Sequence, residues 1–97
     1  MVMTQQYLVG ELSVLLAQLE NLAAKQRPVQ DVVRLRREVE TMPLSAMPSI
    51  TARTLALTDV LCWDAVTRGD VTTFSREAAF SAELYEFGVC AGLIEQA

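Results

Sequence analysis

With 97 residues, 52% of them hydrophobic and 21% charged, the chain is expected to form one domain over residues 1–97, and its apolar content excludes a disordered chain. A net charge of −4 and a pI near 4.6 argue against a nonspecific nucleic-acid binder, whose affinity comes mainly from Lys and Arg neutralising phosphates. Histidine is absent, which removes the commonest general base and the commonest metal ligand together, so neither metal nor cofactor is expected.

The first helix is predicted to start at Thr4, whose hydroxyl can cap it, with Met3 and Leu8 placed as a hydrophobic staple. Leu8, Leu12, Leu15, Leu19 and Leu22 then recur at alternating spacings of four and three, and Val9, Leu16 and Ala23 widen the stripe. So broad a face suits a bundle core better than the narrow seam of a zipper. Residues 8–24 are the most apolar stretch, but Glu11 and Glu20 interrupt it and no membrane span is expected. Residues 1–6 lack the basic region of a secretory signal, which makes a cytoplasmic protein the expectation.

Pro28 suits the opening of a second helix running to about Met42, because its missing N–H would find no partner there. Val32, Leu35, Val39 and Met42 form the inward stripe of this helix. Arg34 with Glu38, and Arg36 with Glu40, are spaced as ion pairs, so the cluster of Arg34, Arg36 and Arg37 reads as a self-neutralised wet face. Pro43 and Pro48 bracket residues 44–47, the longest break in the chain.

Ser49 is the predicted cap of a third helix reaching Arg68, Gly69 its left-handed stop, and Asp70 the cap of the fourth. Gly69-Asp70 is then the tight turn of an αα-hairpin, which accounts for Arg68-Gly69-Asp70 without an adhesion role. The fourth helix runs from about Val71 towards Glu95, with Gly88 and Gly92 placed either for a close helix approach or for a fraying end. The predicted class is all-α, a small antiparallel four-helix bundle. All of the net negative charge falls in residues 49–97 and reads as an aid to solubility.

Little in the chain points to chemistry. A nucleophile would need Lys25, the only lysine, as its base, so an enzyme is not expected. Glu83 and Glu86 share a helical face without flanking ligand groups and read as solvated surface. Cys62 and Cys90 lack metal-binding spacing. The hairpin separates them by roughly 20 Å along the bundle, too far for a disulfide, and both are expected as buried thiols. Asp59 projects between Leu55, Val66, Ala52 and Trp63, the most apolar sector of the third helix. It is therefore expected to be buried, with a hydrogen bond from Ser81 or from an equally buried Tyr85, or with an Arg partner.

The fourth helix has two apolar sides. Phe74, Ala78, Ala82, Tyr85 and Val89 gather on one, and Phe80, Leu84, Phe87, Ala91 and Ile94 on another, roughly 120° or more away. With the first side given to the third helix, the second is expected to form a homodimer interface. The expected function is a self-associating protein–protein interaction module: an adaptor, regulatory or assembly subunit. The alternative is a bundle holding an apolar small molecule among Trp63, Phe74, Phe80, Tyr85, Phe87 and the methionines.

Overall fold

A computed structural model describes residues 5–94. Four helices, α1 (Gln5–Leu22), α2 (Val29–Thr41), α3 (Met47–Thr67) and α4 (Val71–Cys90), follow one another, with a 3-10 turn at Leu44–Ala46 before α3. Each packs on the next, α3 against α4 most extensively, and α4 closes back on α1, making an all-α bundle. The predicted cap at Thr4, the Met3 half of the staple and the Glu95 end of the last helix lie outside the described residues.

Two glycines end helices in the same way. Gly69 and Gly92 adopt φ of 72° and 73°, the left-handed region where a Cβ is costly. After α3, Asp70 N–H donates to Ala65 O at 2.9 Å and Gly69 N–H to Val66 O at 3.0 Å. After α4, Leu93 N–H donates to Gly88 O at 2.7 Å and Gly92 N–H to Val89 O at 3.1 Å. Both are Schellman closures, and the second stops α4 at Cys90, short of the predicted Glu95. The glycine pair thus divides its roles. Gly92 ends the helix, while Gly88 is buried, and a Cβ there would meet the Ile94 side chain and lie 3.3 Å from Thr51 Cγ2.

Asp70 caps α4 as predicted, accepting from Thr73 N–H at 3.1 Å and from the Thr73 hydroxyl at 2.7 Å, which holds its carboxyl below the usual range. Ser49 does not cap α3. The helix already begins at Met47, because the 3-10 turn satisfies the first N–H groups and Pro48 brings no donor to the first turn.

The core draws Leu8, Leu12, Leu16, Leu19 and Ala23 from the first helix and its end, Val32, Leu35 and Val39 from α2, Met47, Ile50 and Leu61 from α3, and Phe80 and Leu84 from α4. The α1 stripe lies as the leucine spacing predicts, centred on Leu12, Leu16 and Leu19, with Leu15 and Leu22 at its margins. Charges on α2 tie helices together rather than pairing as the sequence spacing suggests. Arg36 reaches Glu20 on α1 at 2.9 Å and Arg53 on α3 reaches Glu38 at 2.9 Å, while Arg34 pairs within α2, with Asp31 rather than with the predicted Glu38. The Arg53 guanidinium holds the Glu38 carboxyl low.

The orientation of α3 overturns the expectation built on its apolar sector. Thr51, Thr54 and Thr58 face inward and are fully buried, while Asp59, Trp63 and Val66 face out. Each threonine hydroxyl donates to its own helix, Thr51 to Met47 O (2.8 Å), Thr54 to Ile50 O (2.7 Å) and Thr58 to Thr54 O (2.8 Å). With its hydroxyl satisfied in this way, a threonine needs no partner from outside its own helix, and burying it carries little penalty.

Candidate interaction face

The α3–α4 hairpin presents a second apolar surface, turned away from the core. On α3, Asp59, Cys62 and Val66 run at spacings of three and four beside the buried line of Thr58, Leu61 and Ala65, while Leu55, one turn earlier, packs against the core. On α4, Phe74, Ala78, Ser81 and Tyr85 run at spacings of four, three and four beside the buried line of Glu77, Phe80, Leu84 and Gly88. Trp63 has 72% of its surface exposed, Val66 49% and Phe74 38%, and Tyr85, further along α4, 46%. Asp59, Cys62, Trp63, Val66 and Phe74 line one shared hollow of about 370 Å³.

Asp59 is the only charged residue in these rows. It is exposed and has no hydrogen-bond or ion-pair partner among the described residues. Next to it, burial pushes the Cys62 thiol up, and the charges of Glu77 and Asp59 add to the shift. Both cysteines are free; Cys62 is half-buried and Cys90 exposed, so neither is the fully buried thiol expected.

Several expected site residues are accordingly reassigned. Asp59 and Tyr85 are not a buried polar pair, because α3 turns its threonines inward and carries Asp59 out. The expected dimer face of Phe80, Leu84, Phe87, Ala91 and Ile94 belongs to the monomer. Phe80 and Leu84 are buried within the single chain, Phe87 and Ala91 pack against the core, and Ile94 folds back over Gly88. The leucine stripe of α1 is broad enough to help cover this side of α4, so no second copy is required there. The two apolar sides of α4 are real, but the open one is the side of Phe74, Ala78, Ala82 and Tyr85. The aromatic residues grouped as an internal ligand site divide in the same way, with Phe80 inside and Trp63, Phe74 and Tyr85 outside.

A buried polar cluster at one end of the bundle lies outside every sequence-based expectation. Gln26, in the turn between α1 and α2, donates through Nε2 to Leu61 O (3.0 Å) and Asp64 Oδ2 (3.0 Å), with Glu77 Oε1 further off at 3.5 Å. Arg68 bridges the same turn, donating to Asp64 Oδ2 and to Lys25 O at 3.4 Å each. Glu77 is fully buried, and its Oε2 and Gln26 Oε1 have no hydrogen-bond partner among the described residues. Burial pushes the Glu77 carboxyl up, the Gln26 hydrogen bond offsets part of this, and the charges of Asp64 and Asp70 add to it. A signal for it exists in the sequence, since Glu77 lies in phase with Phe80 and Leu84 on α4. The cluster ties the α1–α2 turn to the α3–α4 turn, the two connections at this end of the bundle.

Glu83 and Glu86 are exposed, and the described residues contain no group of three side chains able to hold a metal ion. No described helix is long and apolar enough to cross a membrane. Comparison with protein-family models, with curated proteins and with solved structures returned no match.

Proposed function

We propose that the chain is a protein–protein interaction module that receives another protein on the outer face of its α3–α4 hairpin. The observation that carries this reading is Trp63, exposed over 72% of its surface and sharing one hollow with Val66 and Phe74 rather than standing alone. Contiguous exposed apolar surface marks interfaces, and Trp and Tyr are enriched among the residues that dominate binding energy. Ala78 and Ala82 lie between the larger side chains, which leaves room for an incoming backbone to approach closely. Exposed Val14, on α1, serves as a control position.

Trp63→Glu is expected to change stability by no more than about 0.5 kcal/mol, because the side chain is largely in water and makes few core contacts. Urea unfolding of the variant checks this. Wild-type, Trp63→Glu and Val14→Glu proteins then serve as parallel baits in the native extract. The reading predicts a bound protein that Trp63→Glu loses and Val14→Glu keeps. Identical capture by all three baits would refute it.

A further inference from the structure

We infer that the occupant of this face is an amphipathic helix of another protein that carries an arginine or lysine opposite Asp59. The inference rests on the interaction-module reading above and adds the charge of the partner. The hollow bordered by Asp59, Cys62, Trp63 and Val66 of α3 and by Phe74 of α4 is the kind of apolar depression into which a helix lays its stripe. The row from Asp59 to Val66 on α3 is roughly 10 Å long, which matches about two turns of an incoming helix.

Asp59 decides what that helix must carry. A docked helix would cover the hollow that Asp59 shares with Trp63, Val66 and Phe74, and a covered carboxylate without a counter-charge is strongly unfavourable. The chain offers no such counter-charge, because the two rows contain no Lys or Arg and Asp59 has no ion-pair partner among the described residues. A two-fold pairing of identical copies would bring the same patch against itself, and that patch supplies a second aspartate and no cation. A guanidinium or ammonium from a different protein satisfies Asp59 at the edge of the hollow.

Trp63 is the only tryptophan and reports on the hollow directly. The test titrates the full chain with three synthetic amphipathic helices that share a leucine and alanine stripe and differ at one central position, which is arginine, alanine or glutamate. The arginine peptide is expected to shift Trp63 emission to the blue and to bind about tenfold tighter than the glutamate peptide. Asp59→Asn is expected to abolish that preference and Asp59→Arg to reverse it, both without loss of fold, since Asp59 is exposed and has no partner among the described residues. Equal binding of all three peptides would overturn the basic-partner inference while leaving helix docking standing. No emission change with any peptide would overturn both. A blue shift that grows with protein concentration alone would assign the face to a second copy and overturn the inference.

Discussion

Leu84→Ala is expected to lower the unfolding free energy by about 3 kcal/mol, a large part of the roughly 5–15 kcal/mol that holds a domain of this size. Leu84 is fully buried and lies in the same core as Leu12, Leu16 and Leu19, so truncation leaves a cavity within the bundle. Thermal or urea unfolding measures the loss, and a fall in Tm of about 15 °C is the corresponding shift. The loss is expected to be the same at every protein concentration, because Leu84 is covered by its own chain. Tyr85→Ala, one residue on but on the open side of α4, is expected to cost about 1 kcal/mol or less. If Leu84→Ala is tolerated, or its effect depends on concentration, α4 faces the other way and the assignment of its two sides is wrong.

Glu77→Gln is expected to stabilise the protein at neutral pH by about 1–3 kcal/mol, the usual scale of an unsatisfied buried polar group. Glu77 is fully buried and burial raises its carboxyl, so in the folded chain it holds its proton to higher pH than in the unfolded chain. Through the window from the ordinary carboxylate value up to the raised one, the unfolded state sheds the proton and the folded state keeps it. Stability supplied by Glu77 is therefore present at low pH and lost as pH rises through that window. Glutamine has no such loss, and its amide brings an N–H donor to a cluster in which Gln26 Oε1 lacks one. The two proteins should converge in acid and diverge towards neutral pH. The lowered carboxyls of Glu38 and Asp70 act in the opposite sense, their stabilising effect being lost in acid, but both proteins share them and they cancel in the difference. Parallel stability profiles, or a Glu77→Gln variant weaker than the wild type at neutral pH, would show that Glu77 is stably accommodated as a carboxylate.

The helices, the hairpin turn and the inward stripes of α1 and α2 are legible in the sequence because simple local rules govern them. Leucine spacing orients α1, and the glycine and aspartate of Gly69-Asp70 have backbone and capping roles that few other residues fill. The facing of α3 is not legible from hydrophobicity. Thr51, Thr54 and Thr58 look polar on a helical wheel, yet their hydroxyls are satisfied by their own helix, whereas Trp63 and Val66 look like core and lie outside. That single rotation moves Asp59 from the core to the surface. On α4 the wheel separates two apolar sides correctly but does not say which one the leucines of α1 will cover. Glu77 is hidden among seven acidic residues of the second half, although its phase with Phe80 and Leu84 marks it as buried.

The most direct measurement is acrylamide quenching of Trp63 fluorescence in the isolated protein, from micromolar to near-millimolar concentration. An open α3–α4 face predicts an indole nearly as quenchable in the folded chain as after unfolding in urea, unchanged across that range. An indole shielded in the folded protein at all concentrations would mean that the chain covers this face itself. Shielding that appears as concentration rises would mean that a second copy does. Either result would contradict a face held open for another protein.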